Sequence, residues 1–482
     1  MTPRPLRART TFATSLLALA VSGTAASAQS PAQLSADVRQ YVTVDAPVVA
    51  LVHARVIDGT GAPAKNDQTI LISGGKITAV GNAGSVSVPA NAKTIDLTGK
   101  SVLPGLVMVH EHMFYPSGPR PVYAEHAYSF PRMYLGGGAT TIRTAGSIEP
   151  YTDLNLRKYI DRGQMPGPKM DVTGPYLNAP GFAIQFHQLA DAADARRTVA
   201  QWADLGATSF KAYMNITRDE LSAVVDEAHK RGLKVTGHIC SVAFREAADI
   251  GIDNLEHGLV VASDFHPGKG HDECPPDAAT SLAKLEVTSD TIQSLIRTLV
   301  SKKVAITSTL GVFETFVPQR PPLAARALEA MTTEARLQYL TNRSAIAGAT
   351  QSPWTNLFKK EMQFEKAFVD AGGLLIAGSD PTGYGGVVPG YSNQRQIELL
   401  VEAGFTTLEA IKIATLNGAT YLGRADRVGT VATGKDADLV VVAGDPSSRI
   451  SDIQRVETVF KDGIGYDSAK LLLSGKGSVG AQ

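Results

Sequence analysis

The strongest constraint in this sequence is a repeat of texture rather than of residues: between positions 102 and 379, short apolar runs alternate with longer amphipathic stretches. Eight runs can be marked, at 102–110, 139–144, 169–173, 208–212, 233–238, 254–257, 304–308 and 373–379. Strands separated by helix-length connectors cannot pair as hairpins and pair in parallel through crossovers instead. Eight such units predict an α/β protein built on a (β/α)8 TIM barrel. The connectors agree: 192–205 and 218–231 carry helical periodicity, and Gly232 stands where the second should stop. The longest connector, 311–371, has room for extra helices over the barrel mouth.

Both ends have a different texture. Residues 48–52, 69–72 and 76–80 are β-rich runs punctuated by Asp58-Gly59-Thr60-Gly61 and Gly74-Gly75, and similar runs return at 429–431, 437–442 and 456–460. The two ends are expected to build one small β-sandwich domain together. The implied organisation is β-sandwich over 45–103, barrel over 104–425, and β-sandwich again over 426–470.

Ahead of these, Arg4, Arg7 and Arg9, the apolar stretch Phe12 to Val21 and the small residues Ala26-Ser27-Ala28 read as a signal peptide, 1–28. No Arg-Arg pair precedes the apolar stretch, so export in an unfolded state is expected, to the periplasm or beyond, with metal loaded afterwards. No later run is long and uncharged enough to span a bilayer. Lys plus Arg number 46 and Asp plus Glu 46, leaving no broad basic surface for nucleic acid; a small-molecule or dipeptide-like substrate fits better. Cys240 and Cys274 are the two cysteines; spacing alone cannot establish bonding geometry, and of the two readings, one bridge or two unpaired thiols, the second is preferred. Aromatic loops and exposed sheet edges suit a homo-oligomer, with no residue specifying a symmetry.

The residues that carry chemistry stand at the ends of the apolar runs. His110-Glu111-His112 closes the first; alternation along a strand sends both imidazoles to one face and Glu111 to the other. His238 and His257 end the fifth and sixth runs, and Asp380 follows the eighth in Gly378-Ser379-Asp380. Imidazole and carboxylate donors on four strand ends at one rim are what a catalytic zinc-type site requires. His53, in the small sheet, and His229, on a polar helix face, are ordinary structural histidines on this reading.

This set resembles the amidohydrolase superfamily and its prolidase-like branch: His110-x-His112, Lys211, His238, His257 and Asp380 match the metal-ligand positions. Val102-Leu103-Pro104-Gly105-Leu106, Glu256-His257-Gly258 and Gly434-Lys435-Asp436-Ala437-Asp438 support the match. The resemblance implies two divalent metal ions, zinc by default, bridged by Lys211 carrying carbon dioxide as a carbamate. A neutral amine can capture carbon dioxide, and burial beside cations favours that form. His110, His112, Lys211 and Asp380 would hold the deeper ion, and Lys211, His238 and His257 the outer one. The implied reaction is attack of a metal-bridging hydroxide on the amide of a dipeptide, including Xaa-Pro, or of an N-acyl amino acid, with Asp380 moving the proton.

Substrate contacts are less determined. Arg143 closes the second run and either grips a substrate carboxylate or pairs within the barrel. Tyr213 either hydrogen-bonds a tetrahedral intermediate or a substrate carboxylate, or packs at the rim. The sequence departs from the branch after the third run, where Asn178 to His187 replaces a Gly-Gly-His segment, leaving His187 as a loose counterpart. Phe114, Tyr115, Tyr123, Tyr128 and Phe130 enrich the loops in rings, either for a bulky substrate or for loop packing. Competing functions are cyclic-amide or lactone hydrolysis on the same metal cage, a mononuclear deaminase that would not need Lys211, and a solute-binding protein, whose ligand set should be broken.

Overall fold

The computed structural model describes residues 33–118, 122–181 and 187–481. The expected leader, 1–28, lies outside them, as does most of the 178–187 segment beyond Gly181.

All eight expected strand regions form parallel strands. They are Leu106–Glu111, Ala139–Thr144, Lys169–Asp171 continuing as Thr173–Asn178, Ser209–Ala212, Lys234–Gly237, Asn254–Glu256, Ala305–Ser308 and Leu375–Ala377. Their ladders make a three-stranded and a seven-stranded parallel sheet in a TIM-barrel-like α/β arrangement. At one junction Thr173 N donates to Thr144 Oγ1 at 3.0 Å and Ser147 N to Gly174 O at 3.2 Å. At the other, Asp380 N donates to His110 O at 3.0 Å. Gly378 makes that approach feasible, because a Cβ there would lie 2.6 Å from the His110 nitrogen.

Two of the expected runs are divided between sheets. The first run divides at Gly105: Lys100–Pro104 belongs to the terminal sheet and only Leu106–Glu111 to the parallel set. Gly105 N donates to Asp438 O at 2.8 Å, and a Cβ at 105 would sit 2.0 Å from Thr140 Oγ1, so the chain changes sheets where only glycine fits. The third run divides at Val172, with one half in each parallel sheet.

Helices form where their signals lie. Arg218–Lys230 opens on a capping box, with Glu220 N donating to Thr217 Oγ1 at 3.2 Å and Thr217 N to Glu220 Oε2 at 2.8 Å. Ala192–Leu205 stops at Gly206, whose φ of 108° side-chain-bearing residues rarely adopt. The long connector carries four helices, the last of them Trp354–Asp370.

Both chain ends contribute to one nine-stranded mixed sheet, in which Lys100–Pro104 pairs antiparallel with Leu439–Ala443. Val49, Leu51 and Ile70 from the N-terminal part share a core with Leu439, Val441 and Phe460 from the C-terminal part. Lys169, at the start of the third strand, ties this unit to the parallel strands through Asp462, Asp438 and Asp436 at 2.8, 2.9 and 3.0 Å.

The cysteine expectation is overturned: Cys240 and Cys274 form a disulfide, with Cα atoms 4.9 Å apart. The segment after the sixth strand folds back over the end of the fifth, a long-range juxtaposition that a separation of 34 residues does not reveal.

Trp354–Asp370 buries two carboxyls one turn apart. Glu365 Oε2 accepts from Ser308 Oγ at 2.9 Å, and Glu361 Oε2 from Val260 N at 2.9 Å. Burial pushes Glu365 up to about 8, and burial together with the Glu365 charge raises Glu361 well above the carboxylate range. The folded protein therefore keeps a proton on Glu365 that the unfolded chain releases near 4.5, and stability falls as pH rises from there towards 8. Glu365→Gln is expected to stabilise the fold by on the order of 4 kcal/mol at pH 8 and by almost nothing at pH 4. Urea unfolding at the two pH values measures this, and an equal effect at both would remove ionisation as the cause.

Candidate active site

The site lies where the parallel strands end. His110 and His112 are 1% exposed and Asp380 is 6% exposed, and together they offer donor atoms all within 4.8 Å of one another. Asp380 Oδ1 is 3.2 Å from His112 Nε2 and 3.5 Å from His110 Nε2, and its Oδ2 is 3.8 Å from His257 Nδ1. His257 packs between His110 and His238, with ring centroids 4.7 and 4.4 Å away. Lys211, 1% exposed, reaches the same floor from the fourth strand. Strand alternation works as expected, and Glu111 faces away, accepting from Ser379 N at 2.9 Å and Asn393 Nδ2 at 2.8 Å.

The imidazoles are oriented from behind. His110 Nδ1 is 2.7 Å from Glu256 Oε2, His112 Nδ1 is 3.2 Å from Gly146 O, and His257 Nδ1 is 2.7 Å from Thr309 Oγ1. Each leaves Nε2 as the second donor, which is how histidines around a metal are commonly fixed. The backbone is bent to the same end: His257 has φ 69° and Asp380 φ 52°, left-handed conformations that non-glycine residues seldom take.

Glu256 is the hub below. Fully buried, it takes Arg143 Nη2 at 2.6 Å, His110 at 2.7 Å and Thr236 Oγ1, with Lys211 Nζ at 3.8 Å. Burial pushes its carboxyl up, but Lys211, His110 and Arg143 hold it well below the usual range. Burial lowers Lys211 to about 8, although Glu256 and Asp380 favour its charge. It likewise lowers His112 to about 4 and His238 to about 3. Burial and Lys211 press on His110 too, but Glu256 and Asp380 raise it overall. Burial opposes the charge of Asp380, yet His110 and His112 hold the carboxyl well below its ordinary value.

Above this floor opens a cavity of about 400 Å3. His110, His112, Lys211, Tyr213, His238, His257 and Asp380 all line it. Arg143 does not: 1% exposed, it is committed to Glu256 and lies 3.3 Å from Tyr421 Oη, the inner pairing of its two sequence readings. His187 is also absent from the lining; its Nε2 lies 3.1 Å from Thr198 Oγ1 and 3.4 Å from Asp194 on the flank. Among the ring residues flagged by sequence, Phe114 and Tyr123 line the cavity, while Tyr115 and Phe130 are core.

Sequence reasoning missed several site residues. Tyr176 Oη is 3.4 Å from His112 Nε2, and its ring packs edge-on to Tyr213 at 5.2 Å. Phe313, Phe316 and Trp354 form a wall supplied by the long connector. Tyr176 could have been found from strand pairing, since it lies opposite Lys211 in the ladder, but that register is not written in a single sequence.

The fold and the donor set together define a class. The profile of the Amidohydrolase family matches residues 101–465, and the chain belongs to that family; it is a hydrolase. Among solved structures, a candidate prolidase from Bifidobacterium longum is similar at 25% identity and TM-score 0.66, over 89% of this chain and 99% of that one. A Xaa-Pro dipeptidase with methionine bound in its active site superposes at TM-score 0.66 and 20% identity, over 87% and 100% of the two chains. The A. niger ochratoxinase does so at TM-score 0.64 and 19% identity, over 88% and 96%. Among curated proteins, imidazolonepropionase of Clostridium tetani (strain Massachusetts / E88) is 33% identical over 126 residues, 24% of this chain and 28% of that protein. A Porphyromonas gingivalis imidazolonepropionase is 35% identical over 82 residues, 16% and 18% of the two chains. The chain thus spans less than a third of these curated relatives' length.

Proposed function

We propose that this chain is a metal-dependent hydrolase of amide bonds, with dipeptides, Xaa-Pro included, and N-acyl amino acids as its starting substrate class. The observation that carries the proposal is the donor set: buried His110 and His112, each held through Nδ1, bring donor atoms within 4.8 Å of Asp380 at the strand ends, with His257 packed against His110. Neutral imidazoles are what a cation needs, and burial keeps His112, His238 and His257 neutral at pH 7. In this reading His110, His112, Asp380 and Lys211 as its carbamate hold one divalent ion, and Lys211, His238 and His257 hold a second, zinc by default. Bound there, such ions supply Lewis acidity and an acidified water.

The chain's own residues do the rest. Asp380, against His110 and His112, is placed to take a proton and return it to the departing nitrogen. Tyr213 and Tyr176 stand over the floor as hydroxyl donors to a developing oxyanion. Arg143 acts through Glu256, which in turn fixes His110.

The same reading takes the eight strands as a closed barrel over 104–425 and the chain ends as a β-sandwich over 45–103 and 426–470. The backbone bonds at both sheet junctions and the shared terminal core support it. It also takes residues 1–28 as a leader and the enzyme as exported, which the disulfide supports, since oxidising compartments keep such bridges.

The test is metal removal. Amine release from a panel of dipeptides, N-acyl amino acids, cyclic amides and lactones should vanish on exhaustive chelation and return with added zinc, with elemental analysis giving about two ions per chain at full activity. Full amide turnover by chelated, metal-free protein would end the proposal. Ring opening without cleavage of linear amides would move the substrate class.

A further inference from the structure

We infer that the site selects its substrate by a large aromatic group rather than by a free carboxylate. This rests on the proposed amide hydrolysis and narrows it.

The first observation is the wall. Phe313 and Trp354 stack with centroids 5.7 Å apart and planes 17° apart, and Phe316 and Trp354 with centroids 4.9 Å and planes 23° apart. Phe313 meets His257 edge-on at 5.6 Å, so the wall begins beside the donor set. All three rings line the cavity, and Phe114 and Tyr123 line it as well. Rings in such arrays offer flat apolar faces for stacked or edge-on partners. The position is held from behind: Tyr384 Oη lies on Thr315 O, and Arg343 donates to Thr315 O, Val317 O and Pro318 O at 2.7, 2.7 and 2.6 Å. The wall is therefore fixed rather than free to collapse into the space.

The second observation is charge. Among the described residues lining the cavity, Lys211 is the only lysine or arginine, and it stands at the floor with the histidines. Arg143 is sealed beneath the floor on Glu256, and Arg343 behind the wall on three carbonyls. A carboxylate brought into the cavity leaves water without a guanidinium to receive it, which is costly. An aromatic ring brought in leaves water for ring faces, which is favourable.

The test compares N-acetylphenylalanine with N-acetylalanine, each as the free acid and as the neutral dimethylamide, using metal-loaded protein and amine release. The phenylalanine compounds should exceed the alanine ones in kcat/KM by about tenfold or more, and each neutral compound should match or exceed its acid. Trp354→Ala should bring the phenylalanine-to-alanine ratio towards one. Phe316→Leu, which keeps the wall apolar, should lower it as well and serves if the first variant does not fold. A second readout does not need turnover. The chain has two tryptophans, and Trp202 packs at a tilt against Tyr151, away from the cavity lining. In Trp202→Phe protein, N-acetylphenylalanine dimethylamide should change Trp354 fluorescence saturably, and N-acetylalanine dimethylamide should not at equal concentration. Saturable fluorescence change with no hydrolysis of any amide would leave this inference standing and sink the proposed reaction. Amide hydrolysis with no phenylalanine preference, or with the free acids favoured about tenfold or more, would overturn the inference and leave the reaction intact.

Discussion

Arg143→Met will lower the stability of the folded protein by about 3–5 kcal/mol, the cost of breaking a buried ion pair from one side. Glu256 is fully buried and Arg143 Nη2 is 2.6 Å from its Oε1, so the substitution leaves a carboxylate with one fewer charge against its burial. Methionine fills similar space, which limits the packing loss. Glu256 is held well below its ordinary 4.5, so its contribution is fully present above that value and is lost as pH falls towards the folded one. The destabilisation should therefore be constant above about pH 5 and shrink below it. Arg143→Met with Glu256→Gln should recover part of the loss, because the unpaired charge is then gone. Urea unfolding across pH checks both statements; a loss below about 0.5 kcal/mol would mean that the network does not need the guanidinium.

That experiment concerns a residue whose role sequence could only divide in two. Arg143 closes a strand at the level of the donors, and its local context is the same whether it faces substrate or a carboxylate beneath. What settles its placement is Glu256, more than a hundred positions away and four strands on. Local signals were legible in full by contrast. The His110-Glu111-His112 alternation and the ends of the fifth and sixth runs needed only the period of a strand, and they placed the donors together. Strand lengths were legible only in part, because Gly105 and Val172 mark changes of sheet, and a sheet change is a property of neighbours such as Thr140 and Asp438.

The disulfide and the aromatic wall failed to show for the same reason. Cys274 and Trp354 both sit on connectors whose lengths have no period to read, and their positions follow from how those connectors pack over the mouth. His187 is read only from a family's segment order. Its ring is held by Thr198 and Asp194 on the adjoining helix, and the flank, not the mouth, is where that geometry puts it.

Asp380→Asn should reduce kcat by roughly 10²–10⁴-fold while leaving the fold intact, the loss typical when a positioned proton acceptor is removed. The substitution is suited to separating chemistry from structure. Residue 380 has φ 52°, and asparagine is among the few side chains at home in that conformation, so the turn that carries the carboxyl should survive. Its backbone bond to His110 O at 3.0 Å does not involve the side chain and should survive too. What disappears is the charge facing His110 and His112, and with it the group proposed to carry the proton to the departing nitrogen. The two consequences are measured separately, turnover by amine release and occupancy by elemental analysis after metal loading. Loss of turnover with metal retained assigns the proton to Asp380, and loss of both assigns it chiefly to holding the ion. Wild-type turnover with metal bound would remove Asp380 from the mechanism and leave the tyrosine hydroxyls over the floor as the groups to change next.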